Sequence, residues 1–349
     1  MNDMYVRFDK NMSSIVKGCA ILFMMILHCY GREYLVTLNY DYAPISHWNG
    51  VFKICIGIFS FMVGYGYAFS KNKDWRYSLQ HIKKLLIPFW VILFVFTFPL
   101  CFQEIRERGV ILFIYELFGI SSHFNWYSWF VYFFIFAMIV MPFVSRFIDR
   151  KPLINTGISI VGCYLVCVAV HSIPGAIENK LLLALFNSLM MTPIMFLGYL
   201  FAHEGYYERI NVGRMPRFWS IILSLVLIVV VFIIRRRRWA VMGFQLDFFY
   251  APLVICGIVI IFSLIKWQPI KALMIKMGEV SVYMWFMHAL FFTEAVAWFY
   301  QPAITIFNNV NFVVIWAITL TFLASWLLKS IVDFITQRLT IHRTRVPSS

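Results

Sequence analysis

The chain contains ten stretches of mostly apolar residues that are long enough to cross a bilayer as helices. A spanning helix needs about 20 such residues, and each stretch holds between 17 and 25. At 62% hydrophobic and 13% charged residues, the composition lies far from the roughly 45–50% apolar and about 25% charged residues of soluble domains. We therefore predict an all-α membrane protein, a single domain over 1–349 built as a bundle of about ten transmembrane helices. Its predicted spans are 13–30, 48–69, 84–102, 125–145, 153–171, 181–202, 218–234, 247–265, 279–300 and 311–335, with short tails at about 1–12 and 336–349.

Basic residues between these spans orient the predicted bundle. With a cytoplasmic N-terminus, most of the 30 Lys and Arg residues fall on the cytoplasmic side, as the positive-inside rule requires. An even number of spans then places both termini in the cytoplasm. Orientation and contact with anionic membrane lipid explain the net charge of +14, so we expect no nucleic-acid partner. The seven cysteines lie in apolar stretches without a metal-type array, so we expect no metal site.

The first span, SSIVKGCAILFMMILHCY (13–30), carries two ionisable residues, Lys17 and His28. At 100° per residue both side chains project from one helix face, and they are separated by about 16 Å along the axis. Ionisable residues inside a membrane are costly and mark functional sites. For each residue a structural alternative stays open. Lys17 would only extend its amine to the interface, and His28 would be a hydrogen-bonded histidine near the outer interface.

A second histidine, His288, lies near the middle of the ninth predicted span, in GEVSVYMWFMHALFF (278–292). Ser281, seven residues earlier, shares its helix face. Two buried histidines at similar depth would belong to one cavity. The alternative is a packed His288 without a catalytic role.

A basic cluster opens the third predicted span. Lys83 and Lys84, in KNKDWRYSLQHIKKLLIPFW (71–90), lie at the cytoplasmic start of a helix that we expect Pro88 to break. They are either orientation charges or, together with Lys17, an anion site for a phosphorylated cofactor.

Two aromatic segments lie on the predicted outer side. GVILFIYELFGI (109–120) is too short to cross and contains Glu116, which favours a re-entrant or interfacial helix. HFNWYSWFVYFF (123–134) carries Trp126 and Trp129. An aromatic belt is the default interpretation of these tryptophans, and stacking on a sugar would be a second role.

A run of four arginines also falls on the outer side and breaks the positive-inside pattern. Either the seventh span is misplaced, because its 17 residues are near the lower limit for crossing, or the run binds an anionic acceptor. The run consists of Arg235, Arg236, Arg237 and Arg238.

Five motifs, taken in order, resemble those of the acyltransferase-3 family of integral membrane acyltransferases. The resemblance covers nearly the whole chain. Val63 stands where the family often has serine, and lysines stand where arginine is common in the third-helix cluster; lysine cannot make the bidentate phosphate contact. The motifs are Lys17 followed by ten residues and His28, then FMVGYGYAFS with its helical glycines, IKKLLIP, WYSWFVYFF and GEVSVYMWFMHALFF.

The resemblance implies a membrane-bound O-acyltransferase, most commonly an O-acetyltransferase. Such an enzyme takes the acyl group from cytoplasmic acyl-CoA, usually acetyl-CoA, and transfers it to a sugar hydroxyl outside the membrane. The implied acceptor is a surface polysaccharide, such as capsule or O-antigen, or a lipid-linked glycan. The implied location is the bacterial plasma (inner) membrane.

On this hypothesis, the donor phosphates bind Lys17, Lys83 and Lys84, and the pantetheine arm follows the first helix to His28. An uncharged imidazole at His28 would act as general base for the acceptor hydroxyl. Attack by the imidazole itself, giving an acyl-histidine, is the covalent alternative. His288 would stabilise the oxyanion, orient the acceptor or simply pack.

The competing hypothesis is a proton-coupled transporter or a flippase for a charged glycolipid, since ionisable residues within a bundle also serve carriers. The two halves of the sequence show no evident repeat, and no acidic residue is predicted at mid-membrane. Both observations favour the enzyme. A third hypothesis is a non-catalytic membrane scaffold.

Overall fold

A computed structural model describes residues 4–31, 44–70, 72–242 and 246–345. This part of the chain forms fourteen α-helices and no sheet. The helices are Lys10–Cys29 (α1), Ile54–Ala68 (α2), Trp75–Ile92 (α3), Phe102–Arg108 (α4), Val110–Leu117 (α5), Trp129–Ile148 (α6), Pro152–His171 (α7), Lys180–Glu204 (α8), Arg217–Met242 (α9), Asp247–Leu264 (α10), Gln268–Glu279 (α11), Ser281–Met287 (α12), Glu294–Tyr300 (α13) and Val310–Arg345 (α14).

Within the described ranges, nine helical segments are long and apolar enough to cross a membrane, and a bent pair of helices makes a tenth when it is counted as one span. The prediction of an all-α bundle of about ten spans is confirmed. The chain is a multi-pass integral membrane protein. Most predicted spans match an observed helix to within about one turn; 153–171, for example, corresponds to α7, Pro152–His171.

The third span begins earlier than predicted, at Trp75 instead of residue 84. The carboxylate of Asp74 accepts a hydrogen bond of 2.9 Å from the backbone N–H of Tyr77, which satisfies a donor that the first turn leaves unpaired. Lys83 and Lys84 consequently lie in the third turn of α3 and not at its start.

The expected break at Pro88 is wrong. The helix α3 continues through Pro88 to Ile92 and is followed by a π-helical turn, Leu93–Thr97. Proline removes only its own N–H from the hydrogen-bond ladder, and the turns on either side keep theirs. In a transmembrane helix, neighbouring helices and local adjustments of this kind accommodate the loss.

The ninth predicted span, 279–300, is broken in the structure. The segment Ser281–Phe291 and the segment Glu294–Ala303 meet at an angle of 87°. His288 lies at this break, because it opens a short 3-10 turn after α12. The side chain of Thr293 accepts a hydrogen bond of 3.2 Å from the backbone N–H of Trp126. The corner of the broken span is thus attached to the loop that precedes α6.

Gly64 and Gly66 on α2 differ in their surroundings. A Cβ added at Gly64 would overlap the backbone of Met195 on α8, and one added at Gly198 on α8 would overlap the backbone of Phe61. Small residues therefore allow these two helices to approach closely. Gly66, by contrast, faces open space and lines a cavity described below.

Polar contacts join the loops at the end of the bundle where α1 begins. The amine of Lys73 lies 3.0 Å from Asp149 Oδ2 and also donates to the hydroxyl of Tyr199. That hydroxyl donates to Asp149 Oδ1 over 2.5 Å. The loops before α3 and after α6 are in this way fixed to α8.

Candidate active site

Helix α1 contributes one ionisable side chain to each of two cavities. Lys17 lines a cavity of about 670 Å³ near the start of the helix. His28 lines a second cavity of about 580 Å³ near its end. We call them the Lys17 cavity and the His28 cavity. The two residues singled out in the first span therefore lie where ligands can reach them, and neither is confined to solid packing.

The Lys17 cavity gathers cationic side chains from three helices. Lys10 and Lys17 come from α1, Lys84 comes from α3, and Lys329 comes from α14. Amines converging on one cavity attract an anion with several negative oxygens. Both lysines of the predicted pair on α3 are exposed, but only Lys84 lines the cavity.

Rings form part of the wall of the Lys17 cavity. Tyr67, Tyr77 and His81 all line it, and the rings of Tyr77 and His81 stack with their centroids 3.9 Å apart. A cavity with cations and flat ring surfaces offers contacts both to phosphates and to a planar base. Sequence reasoning missed Lys10, Lys329 and these rings, because helices distant in the sequence bring them together.

The His28 cavity contains a hydrogen-bonded imidazole and hydroxyl. The hydroxyl of Tyr127 lies 2.9 Å from His28 Nδ1. Trp126 and Trp129 both line the same cavity, together with Lys53 and Asn187. The structure thus brings the predicted histidine and the two predicted tryptophans to one site. It adds the amine of Lys53, the amide of Asn187 and the phenol of Tyr127.

The loop before α6 is fixed so that Tyr127 reaches His28. Glu116 is buried, and its carboxylate accepts hydrogen bonds from the backbone N–H groups of His123 (2.9 Å) and Phe124 (3.2 Å). Trp285 Nε1 donates to the backbone carbonyl of Tyr127 over 2.9 Å. The segment 109–120 is indeed too short to cross, since α5 has only 8 residues, and its acidic residue holds this loop in place.

His288 lies beside His28 but does not line the cavity. It is fully buried, its ring centroid is 5.3 Å from that of His28, and it stacks on Tyr127 at 4.6 Å. Its Nδ1 lies 3.1 Å from the carbonyl of Met284. Because a carbonyl only accepts, Nδ1 carries the proton and Nε2 holds a lone pair. In the described part of the chain, Nε2 has no hydrogen-bond partner.

The arginine run does not form a single patch. Arg235 is buried and makes two hydrogen bonds to Asp247, of 2.8 and 3.0 Å, and one of 2.5 Å to the carbonyl of Gly50. The guanidinium of Arg236 lies 4.2 Å from the ring centroid of Trp48, and Arg237 is exposed. The side chain of Arg238 lies outside the described residues. Arg235 therefore connects α9 to α10 and to the turn before α2.

Glu104 on α4 and His123 in the loop before α6 form a pair of titratable groups. His123 Nε2 lies 2.6 Å from Glu104 Oε1, and Arg108 lies 2.9 Å from the same oxygen. Partial burial raises the pKa of Glu104, but the hydrogen bonds and charges of His123 and Arg108 outweigh burial and hold that pKa below its ordinary value.

No group of three or more His, Cys, Asp or Glu side chains in the described ranges is placed to hold a metal ion. The seven cysteines form no disulfide.

These features define a class of protein: a multi-pass helical membrane protein with a cationic cavity and an imidazole-containing cavity on the same helix. The model of the acyltransferase-3 family, described as an acyltransferase domain, matches residues 13–330. The chain belongs to this family, and it is a transferase that moves an acyl group from a donor to an acceptor. No curated protein and no solved structure matched the chain.

Proposed function

We propose that this protein transfers an acyl group, most commonly acetyl, from cytoplasmic acyl-CoA to a sugar hydroxyl on the outer side of the membrane. The observation that carries the proposal is the presence of two different cavities along α1, one at each end of the helix. The helix presents Lys17 to a cationic cavity at one end and His28 to an aromatic cavity at the other. Acyl transfer across a bilayer needs a site for each substrate.

The Lys17 cavity is the proposed donor site, with the N-terminus of the chain in the cytoplasm. The phosphates of acyl-CoA bind Lys17 and Lys84, with Lys10 and Lys329 adding positive charge. The adenine base lies against the tyrosine and histidine rings of the wall. The pantetheine arm then extends along α1 towards His28, which is about 16 Å further along the axis.

The His28 cavity is the proposed site of transfer. The acceptor hydroxyl attacks the thioester carbonyl while a nitrogen of His28 takes the hydroxyl proton. The tetrahedral intermediate collapses, the carbon–sulfur bond breaks, and the thiolate recovers that proton from the imidazolium as free CoA leaves. The products are an ester on the sugar and CoA. Formation of an acyl-histidine followed by attack of the sugar would give the same products.

Tyr127 is the proposed positioning residue for His28. The base acts through Nε2 when Nδ1 carries the proton, and the hydroxyl oxygen of Tyr127 is then the acceptor for that Nδ1–H, at 2.9 Å. His288 packs against both rings and supports their orientation.

The acceptor enters the His28 cavity from the outer side in this proposal. Trp126 and Trp129 offer ring faces to a sugar, while Lys53 and Asn187 offer hydrogen-bond donors. A surface polysaccharide or a lipid-linked glycan in the bacterial inner membrane fits such a site. Arg236 and Arg237, at the end of α9 that this orientation places outside, add positive charge on that side for an anionic acceptor.

The test supplies radiolabelled acetyl-CoA to inside-out membrane vesicles that contain the full chain and the host's glycans. We expect label in surface glycan with the wild type and none above background with His28→Ala, at equal protein levels. Transport of intact glycolipid without acylation would instead support the carrier hypothesis and reject the enzyme.

A further inference from the structure

Three aromatic rings lie between the two cavities. Phe59 on α2 and Phe130 on α6 line the Lys17 cavity, whereas Trp285 on α12 lines the His28 cavity. The ring centroids of Phe59 and Trp285 are 5.2 Å apart, those of Phe130 and Trp285 are 4.8 Å apart, and those of Phe59 and Phe130 are 6.3 Å apart. Rings at these separations are in van der Waals contact and leave no room for a chain between them.

We propose that Phe59, Phe130 and Trp285 form the constriction that a donor must open to reach His28, and that this constriction selects the acyl group by size. The inference rests on the proposed function. The acyl group is the end of acyl-CoA furthest from its phosphates, so it meets the rings first. A larger acyl group requires a larger displacement of the three side chains, and a packed interior resists displacement.

The constriction is attached to the reacting groups. Trp285 Nε1 donates to the backbone carbonyl of Tyr127, and the hydroxyl of Tyr127 contacts His28. Trp285 also lies on α12, the short first half of the broken span that ends at His288. A donor that turns the Trp285 ring therefore acts both on the loop that holds Tyr127 and on the half-span that holds His288.

The matched pair for the test is Phe59 and Phe61, two residues apart on α2. Phe61 is fully buried and packs on Tyr65, Phe201 and Tyr207, and it is not among the residues that line either cavity. Phe59→Ala enlarges the constriction, whereas Phe61→Ala removes a buried ring of the same size elsewhere. Phe59→Leu and Phe61→Leu replace them if either alanine variant fails to fold.

The first measurement compares acetyl-CoA with hexanoyl-CoA as donors. We expect Phe59→Ala to raise the ratio of kcat/KM for hexanoyl-CoA over acetyl-CoA by about tenfold, and we expect Phe61→Ala to leave the ratio at the wild-type value. An unchanged ratio in Phe59→Ala, or an equal rise in Phe61→Ala, overturns the size selection.

The second measurement does not depend on turnover. A cysteine introduced at Asn187, in the His28 cavity, serves as reporter in a chain whose seven native cysteines are replaced by alanine. A membrane-impermeant thiol reagent is added to the Lys17 side in inside-out vesicles. We expect slow labelling in the reporter chain with no further substitution and in the reporter chain with Phe61→Ala. With Phe59→Ala, labelling should be faster by about tenfold, because one of the three rings that separate the cavities is removed.

Equal labelling rates in all three chains overturn the constriction, whatever the activity. Right-side-out vesicles, which expose the His28 cavity directly, check that the reporter reacts at the same rate in each chain. If the wild type transfers no acyl group from any acyl-CoA, the proposed function fails, and the labelling result still decides whether the rings separate the cavities.

Discussion

The Lys17 cavity and the His28 cavity are similar in volume, about 670 and 580 Å³, but they differ in what lines them. The first has amines from three helices, and the second has one amine beside an imidazole–phenol pair and three tryptophans. The first therefore suits a highly charged ligand, and the second suits reaction at a hydroxyl. In the proposed function, donor binding and acyl transfer are separated along one helix, and this separation can be tested at each end.

The largest effect is expected at the His28 end. His28→Gln removes the proposed general base, so kcat for acyl transfer should fall by about 10²–10⁴-fold while the KM for acyl-CoA stays near the wild-type value. Steady-state kinetics in vesicles or detergent measures both. A large rise in KM with unchanged kcat would reverse the roles assigned to the two cavities.

The next effect concerns the wall near the His28 cavity. Arg235→Met leaves Asp247 as a buried charge without its bidentate partner, which should destabilise the fold by about 3–5 kcal/mol. The comparison is Arg236→Met, whose partner is only the ring of Trp48, and it should change stability by less than about 1 kcal/mol. Thermal unfolding in detergent separates them; similar losses would mean that Arg235 is not the structural member of the run.

A smaller effect of a different kind is expected at the Lys17 end. Lys84→Gln removes a charge that lines the cavity, so the KM for acyl-CoA should rise by about 10–100-fold, equivalent to about 1.5–3 kcal/mol for hydrogen bonds to a charged group. Lys83→Gln, at the neighbouring position that does not line the cavity, should raise the KM less. Lys151, an exposed lysine just before α7, lines neither cavity, so Lys151→Gln should have no effect. Equal effects of Lys84 and Lys83 would indicate general surface charge instead of a defined site.

A further kinetic effect should appear at Tyr127. Tyr127→Phe keeps the ring and its stacking on His288 but removes the hydroxyl from His28, so kcat should fall by about tenfold without a change in the KM for acyl-CoA. A parallel fall in thermal stability and in donor binding would point to general damage and not to orientation of the imidazole.

The smallest effect is an acid-dependent one near Glu104, away from both cavities. Because the pKa of Glu104 is lowered from its ordinary 4.5, its contacts stabilise the fold above that pH, and the stabilisation is lost as the pH falls below it. Glu104→Gln should therefore reduce the difference in melting temperature between pH 6 and pH 4. Screening of these partly exposed groups keeps the change small. An unchanged difference would show that the pair does not contribute.

The sequence predicted those parts of the fold and site that depend on residues close together in the chain. Long apolar runs gave the number of spans, and the spacing of Lys17 and His28 on one helix predicted two ends of one site. The bend after α12 was not predicted, because residues 288–293 contain neither proline nor glycine and the corner depends on a contact between Thr293 and Trp126. The pairing of Arg235 with Asp247 was missed for a related reason, since it joins two predicted spans at their shared end.

The contact of Tyr127 with His28 joins residues 99 positions apart, so no local pattern indicates it. The segment WYSWFVYFF, which contains Tyr127, was nevertheless singled out through its tryptophans. A tyrosine between two tryptophans at a membrane boundary was a usable signal, but the aromatic belt explained it equally well. Lys329, near the cytoplasmic end of the tenth predicted span, was counted only as an orientation charge, because the sequence does not tell which charges at the ends of spans face inward.

Helix α1 also fixes the distance between Lys17 and His28. Its two ionisable groups are eleven residues apart on one helix, so in the proposed function the donor must span a fixed distance between them. One residue inserted between them would turn His28 by about 100° and raise it by about 1.5 Å, and the imidazole would leave its partner even though every side chain was still present. An insertion or deletion between Lys17 and His28 is thus expected to be more damaging than a substitution there. An acyl-CoA analogue with a shortened pantetheine arm should bind the amines of the Lys17 cavity as an inhibitor, because its acyl group does not reach His28.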